Sequence, residues 1–275
     1  MNELKCNTQY IGRQYVWLEN TDSTNNMLKR LISDNTTVEE QYAYGNLVEC
    51  EPKDGMMIIA DHQEAGKGRT GRSWESPAGT SLAISVLLRP QISDDSISMV
   101  TLIAALAVSE AVRKVCDIVP DIKWPNDIVI NGRKVCGILT ELDITDGVKS
   151  LIVGVGINVN QNLFPEEIAD KATSIINEAG RLIDREELMQ HFAEALEYYY
   201  EIFLKTGDMS GLLDEYNGKL INMNREVKVL DPSENIEGIA RGIDSMGKLL
   251  VETEDGEIHH IYAGEVSVRG LYGYV

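Results

Sequence analysis

Apolar and polar positions along the chain alternate between two periods, and the switches between them mark the elements. Val16-Trp17-Leu18 is an apolar triplet ended by Asn20-Thr21-Asp22, which predicts a short strand. Asp22 or Ser23 can then cap a helix through Asn25 to Ile32, where Met27, Leu28, Leu31 and Ile32 recur at helical spacing. Residues 33–54 are polar and irregular and read as a loop with some local structure. Met56 to Ala60 is a continuous apolar run, the mark of a buried strand, and it leads directly into Asp61-His62-Gln63. Ser81 to Leu88 predicts another strand. Residues 97–116 predict a helix, and residues 185–205 a long amphipathic one.

Between those helices the period returns to two. A strand Ile128-Val129-Ile130 meets Asn131-Gly132, a pair that favours a tight type I′ turn, and Val135 to Leu142 follows as its partner. Ser150 to Val159 is the next strand. From about Leu220 the texture changes. Val227 to Val229, Ile236 to Gly242, Lys248 to Glu252 and Ile258 to Val268 are short alternating strands split by Asp-Pro, Gly and Asp-Gly turns. They predict a small β-barrel of SH3-like type. Hairpins mixed with helices point to an α+β fold with a mixed or antiparallel sheet, residues 1–219 forming one domain and 220–275 a second.

Composition narrows the class without choosing a function. With 44 acidic and 25 basic residues the formal net charge is −19, which argues against general nucleic-acid binding. Four scattered cysteines (Cys6, Cys50, Cys116, Cys136) form no C-x-x-C pair, so neither a disulfide framework nor a zinc site is suggested. No opening run resembles a signal peptide and no stretch approaches 18 apolar residues, so the expectation is a cytoplasmic protein with no membrane partner.

Against that acidic background one segment stands out. In Gly66-Lys67-Gly68-Arg69-Thr70-Gly71-Arg72-Ser73-Trp74 three glycines alternate with three cations. Glycines let several backbone N–H groups converge on one anion, and the cations add full charges. Screening removes distant charges beyond about 8 Å at physiological salt, so the local cluster outweighs the surface acids for a phosphate it touches. Gly66-x-x-x-x-Gly71 is one residue from a Walker A loop, but Arg72 stands where that loop has Lys. Pro77 and Gly79 break the helix that should follow, so the alternatives are a phosphate loop of another kind or a basic turn with no ligand.

Other segments carry weaker signals. Lys123-Trp124-Pro125-Asn126-Asp127 sets a cation, an amide and a carboxylate around a rigid proline, a set that suits a Mg²⁺–polyphosphate site or an ordinary Asn-Asp turn. Lys134, between Gly132 and Gly137, can aim a point charge at a phosphate or carboxylate, though alone it reads as a surface lysine. Gly154-Val155-Gly156-Ile157-Asn158 begins like a dinucleotide fingerprint, but no helix follows. Its glycines allow a ligand close to a strand, and Asn158 can read a base edge. Asp22-Ser23-Thr24-Asn25 alone reads as a helix cap, His259-His260 as surface, and Tyr198 to Tyr200 as packing.

Taken in order, these segments resemble the biotin protein ligases. The matching stretches are Asp22 to Asn25, Ala60 to Arg72 with Trp74, Lys123 to Asp127, Arg133 to Leu139 and Gly154 to Asn158. Asn224 to Val229, Gly238 to Asp244 and Gly264 to Val266 resemble the family's C-terminal SH3-like domain, and the likeness runs from about residue 10 onward. The resemblance implies a class II synthetase-like catalytic domain that forms biotinyl-5′-AMP from biotin and Mg-ATP. It then transfers biotin to a lysine of a biotin carboxyl carrier protein domain. It implies ATP and biotin as substrates with Mg²⁺, no protein nucleophile, and either a monomer or a homodimer.

It also implies roles. Lys134, Arg69 and Asp127 are the expected catalytic set, with Asp127 also the Mg²⁺ candidate. Biotin is expected against Ser23, Thr24, Gln63, Gly66, Lys67, Gly68, Arg69, Lys134, Gly137 and Gly156. ATP is expected against Arg69, Arg72, Trp74, Lys123, Asn126, Asp127, Lys134, Asn158, Lys228 and Arg241. Only 21 residues precede Asp22, too few for the helix-turn-helix domain of the family's repressor branch, so no DNA partner is expected. Lys67 is usually Arg in the family's loop, Thr70 replaces a commoner basic or aromatic residue, and segment 36–54 looks longer than the family requires. A lipoate ligase, which shares the fold and the adenylation logic, and a non-catalytic biotin-binding protein remain the competing readings.

Overall fold

The computed structural model describes residues 6–34, 43–45, 52–75, 77–145, 148–230, 235–263, 267–270 and 274–275. Two sheets organise them. The larger is built from β1 (Tyr15–Thr21), β2 (Ala43–Gly45), β3 (Met57–Gln63), β4 (Ser81–Leu88), β5 (Asp121–Lys123), β6 (Asp127–Ile130), β7 (Arg133–Thr145) and β8 (Val148–Asn158). Their order is β2-β1-β3-β4-β8-β7-β6-β5. Only β1 and β3 run parallel, as the helix α1 (Thr24–Asp34) between them requires, so the sheet is mixed.

Alternation along each strand sends side chains to two cores. Trp17, Met57, Ile59, Ile84, Val86, Val153 and Val155 face a layer made by α2 (Val100–Cys116) and α4 (Arg185–Thr206). Val16, Leu18, Ile58, Ala60, Ala83, Leu87 and Ile152 face Leu28 and Leu31 of α1. Residues 94–116 are long and apolar enough to cross a membrane, but most of that stretch is buried in the protein's own core. Two short helices, α3 (Ile175–Ala179) and α5 (Leu213–Lys219), have no counterpart in the periodicity.

Most predicted elements fall within a residue or two of their places. Asn131 and Gly132 both have positive φ (51° and 75°), as the type I′ turn demands. Residues 33–54 are not all loop: helix α1 runs to Asp34 and Ala43–Gly45 pairs with β1, while most of the rest lies outside the described residues. The α-helix expected from residue 97 starts at Val100, preceded by a 3-10 turn over Asp94–Met99.

The smaller sheet holds β9 (Glu226–Leu230), β10 (Ile236–Ile243), β11 (Leu249–Glu252), β12 (Ile258–Ile261) and β13 (Ser267–Gly270), all antiparallel, in the order β12-β11-β10-β9-β13. The single strand expected over Ile258 to Val268 is therefore two, on opposite sides of the sheet; Gly264 to Val266 lies outside the described residues. The two sheets share one core, since Val227, Val229, Ala240 and Leu249 pack into the same cluster as α2. Trp124 Nε1 donates to the Gly247 carbonyl at 3.0 Å, and Ile221 N donates to the Ile122 carbonyl at 3.0 Å. These contacts hold the small sheet against the 123–127 turn.

Candidate functional site

Small residues at three aligned positions create the first recess. Ala83, Gly156 and Gly137 are aligned across β4, β8 and β7, and Ser85, Gly154 and Leu139 form the next row. Residues in register across a sheet share a face, so this face has a shallow floor where its neighbours carry bulk. A Cβ at Gly156 would lie 2.5 Å from Trp74 Cε2, and one at Gly154 would lie 2.4 Å from Asn25 Oδ1. The ring and the amide thus occupy space that only glycine leaves open.

Polar groups close one end of this recess. Gln63 Oε1 accepts from Thr24 N at 2.9 Å and from Thr24 Oγ1 at 3.1 Å. Ser85 Oγ donates to Asn25 Oδ1 at 2.5 Å, and Asn25 Nδ2 donates to Glu141 Oε2 at 2.7 Å, with Lys29 on the other oxygen at 2.6 Å. Ser23, Thr24 and Asn25 are buried, so the start of α1 is a polar wall rather than only a cap. Trp74 Nε1 is buried and has no acceptor among the described residues.

The glycine-rich loop folds as a small hairpin over this recess. Gly68 N donates to the Arg72 carbonyl at 2.7 Å and Trp74 N to the Gly66 carbonyl at 2.8 Å. Thr70 and Gly71 turn the chain with φ of 53° and 74°. No helix follows, which removes the Walker reading. Arg69 reaches inward: Nη1 donates to Asn126 Oδ1 at 2.8 Å and Nη2 to the Ala263 carbonyl at 3.1 Å. One side chain therefore ties the loop to the 123–127 turn and to the small sheet.

A second recess adjoins the first and has a different character. Among the described residues, Arg69, Arg72, Lys123, Lys134 and Arg269 line it against one carboxylate, Asp127. Lys134 Nζ lies 2.6 Å from Asp127 Oδ1, and Tyr274 OH donates to Oδ2 at 2.6 Å. Lys123 is buried, and desolvation pulls its ammonium down to about 8, with Asp127 pulling the other way. Burial likewise lowers Arg69. Five described cations beside one described carboxylate are costly to hold close together unless further negative charge joins them.

Most of the expected site residues come together here. Ser23, Thr24, Gln63, Lys67, Gly137 and Gly156 line the first recess, Arg72, Lys123 and Asp127 the second, and Gly68, Arg69, Trp74, Asn126 and Lys134 both. Lys67 Nζ is held by Asn26 Oδ1 at 2.6 Å. Four residues do not join them. Gly66 sits at the hairpin base, where a Cβ would lie 2.3 Å from the Trp74 carbonyl oxygen. Asn158 donates to the Thr173 carbonyl at 3.1 Å and lines neither recess. Lys228 pairs with Glu237 and Arg241 with Glu252, each at 2.6 Å on the small sheet. Arg269 and Tyr274 stand in the recess instead. No short motif marks either of them, because their place depends on how β13 pairs.

His259 and His260 lie on β12, where His260 Nδ1 contacts Asp244 at 2.8 Å, and no group of three metal-ligating side chains exists among the described residues. Tyr199 and Tyr200 are core residues and Tyr198 is exposed.

The glycine-floored slot opens into the cationic chamber, with Lys134 and Arg69 at the seam. The sequence pattern described as the Biotin/lipoate A/B protein ligase family matches residues 27–158, and the Biotin protein ligase C terminal domain matches residues 223–269. The bifunctional ligase/repressor BirA of Bacillus subtilis is 39% identical over 246 residues, covering 88% of this chain and 75% of that protein. The biotin–[acetyl-CoA-carboxylase] ligase of Mycobacterium tuberculosis is 32% identical, covering 78% and 79% of the two chains. The solved biotin protein ligase of Aquifex aeolicus in complex with biotin and ATP superposes with a TM-score of 0.79 at 32% identity, covering 94% of this chain and 99% of that one. The chain belongs to the biotin protein ligase family.

Proposed function

We infer that this chain is an ATP-dependent biotin protein ligase, and that the cationic chamber beside the glycine-floored slot is its adenylation site. The observation that carries the reading is the seam: Lys134 and Arg69 line both recesses at once. In the first step a biotin carboxylate oxygen attacks the α-phosphorus of ATP. The bond from that phosphorus to the bridging oxygen breaks, and pyrophosphate leaves. In the second step the neutral ε-amine of a carrier lysine attacks the acyl carbon of biotinyl-5′-AMP, the acyl C–O bond to the phosphate breaks, the amine releases a proton to solvent, and the amide and AMP are the products. Both substrates of the first step are anions, so cations and orientation are what the reaction needs from the protein.

The side chains divide the work accordingly. Ser23, Thr24 and Gln63 offer hydrogen bonds to the polar ring of biotin at the closed end of the slot. Lys134 stands where the carboxylate and the α-phosphate meet, and Arg69 holds phosphate while pinning the loop. Trp74 is the wall against which adenine packs. Lys123, Arg72 and Arg269 face the remaining phosphates. Mg²⁺ arrives on the triphosphate as part of the substrate. Asp127 and the Asn126 amide oxygen would be the protein oxygens nearest to it, on exchanging contacts they now make with Lys134, Tyr274 and Arg69, since Mg²⁺ needs only one or two protein oxygens beside phosphate and water. The domain boundary falls near residue 220, and the carrier is a carrier domain of a biotin-dependent carboxylase such as acetyl-CoA carboxylase.

Pyrophosphate–ATP exchange by the purified chain with Mg²⁺ tests the reading. Exchange is expected with biotin and not with lipoate, octanoate or no acid. Exchange with lipoate or octanoate instead would move the chain to the lipoate branch of the fold. No exchange, but calorimetric binding of biotin, would leave a biotin-binding protein without ligase activity.

The floor supplies a second prediction. Gly156→Ala puts a methyl 2.5 Å from Trp74 Cε2, and a rigid indole cannot give way at its far end. Overpacking of this kind costs about 1–3 kcal/mol of stability unless the ring moves, so Trp74 is expected to shift in the slot and biotin affinity by calorimetry to fall. Unchanged affinity would show that Trp74 is not a wall of the slot.

A further inference from the structure

Tyr274 lies beyond β13 and reaches back into the cationic chamber, where the two chemical steps give it no part. Its hydroxyl holds Asp127 Oδ2 at 2.6 Å while Lys134 holds Oδ1 of the same carboxylate at 2.6 Å. Its ring faces Lys123, whose Nζ is 3.3 Å from the ring centroid. The neighbouring residue is fixed as well. A Cβ on Gly132 would lie 3.3 Å from Val275 Cγ2, and one on Gly270 would lie 2.3 Å from the Val275 carbonyl oxygen. Val275, next in the chain to Tyr274, thus lies against both the type I′ turn and β13.

Each contact has a distinct physical consequence. Asn126 Nδ2 also donates to Asp127 Oδ1, at 3.2 Å, so Lys134 and Asn126 share one oxygen and Tyr274 holds the other; with donors on both oxygens the carboxylate plane is set. The phenol on Oδ2 therefore determines where Oδ1 presents itself to Lys134. A phenol is protonated at neutral pH, so on this carboxylate oxygen it is the donor. The ring acts differently. A π face steadies a buried ammonium without neutralising it, and so Lys123 keeps its charge for a phosphate.

We propose that Tyr274 is a positioning residue of the adenylation site, its hydroxyl aiming Asp127 at Lys134 and its ring holding Lys123 toward the nucleotide phosphates. Use of ATP, and not binding of biotin, then depends on a residue that follows the small sheet. This inference rests on the ligase reading above.

Biotin-dependent pyrophosphate exchange at varied ATP and varied biotin tests it with two variants. Tyr274→Phe keeps the ring and loses the hydroxyl, so kcat is expected to fall about tenfold with KM for ATP nearly unchanged. Tyr274→Ala loses both, so KM for ATP is expected to rise about tenfold in addition. Biotin affinity by calorimetry stays at the wild-type value in both. Equal losses toward ATP and biotin with a lowered melting temperature would overturn the proposal by showing a purely structural role. Tighter ATP binding by Tyr274→Ala would overturn it too, because the ring would then be an obstruction. Wild-type kinetics in both variants would do the same. Absence of exchange in the wild-type chain overturns the ligase reading along with this one, whereas wild-type exchange with unsplit variants overturns this one alone.

Discussion

Lys134→Ala is expected to slow biotin-dependent pyrophosphate exchange by about 10²–10³, the loss of about 2.7–4 kcal/mol typical of removing a group that stabilises developing charge. Lys134 Nζ sits 2.6 Å from Asp127 and lines both recesses, so it is the cation best placed where two anions must meet. The deficit should appear mainly in kcat, because the charge matters most as the carboxylate approaches phosphorus. Lys134→Arg is expected to recover only part of the rate. A planar guanidinium on a longer stem does not put its charge at the ammonium's position, and Gly137, against which the lysine packs, leaves little spare room. Near-wild-type exchange by Lys134→Ala would remove the lysine from the mechanism. The fold should be little affected, since Lys134 is only half-buried and Asp127 keeps its bond to Tyr274.

Arg69→Ala is the second substitution with a large expected effect, also about 10²–10³ in the exchange rate. Its cause is partly different. Arg69 supplies a charge to the phosphates, and it is also the side chain that ties the hairpin to Asn126 and to the Ala263 carbonyl. Removing it frees the loop from the 123–127 turn and from the small sheet together. Amide hydrogen exchange over residues 64–75 should therefore quicken, and biotin with ATP should slow it less than in the wild type. A variant that loses rate while its loop stays as protected as before would assign Arg69 to charge alone. One that keeps the rate would assign it to neither.

Arg69 and Lys134 differ in how far the amino-acid order alone reveals them. The alternation of glycine and cation from Gly66 to Arg72 is a local signal, because backbone permissiveness and charge belong to the residues themselves. The same holds for the Asn131-Gly132 turn and for the strands β4 and β8, which lie where the periodicity puts them. Lys134 is legible only in company with the other segments. On its own it has no feature to separate it from a surface lysine, and its partner Asp127 is reached through the pairing of β6 with β7.

Three expected ATP contacts lie outside the two recesses. Lys228 and Arg241 are the conspicuous cations of the small domain, yet both are spent on neighbouring glutamates, and Arg269 faces the chamber instead. Which basic residue on an antiparallel sheet points at a ligand depends on which strand lies at the edge next to the other domain. That edge is β13, a strand the periodicity merges with β12. Asn158 lies outside the recesses too: its type suits a base edge, and in the packed β8 its Nδ2 donates to the Thr173 carbonyl.

By itself, then, the amino-acid order determined the period of each element, the turns that join them and the chemistry of the loop, all of which are set by neighbours within a few residues. It carried enough of these in a single order to point to the ligase family. Tertiary structure alone decided that Gly137, Gly156 and Ala83 would align into one floor, that Arg69 would bridge two sheets, and that Tyr274 would close on Asp127 from 147 residues away. Those juxtapositions rest on strand register and on contact between the two sheets. Both are collective properties of the packed core, and no local preference of a residue encodes them.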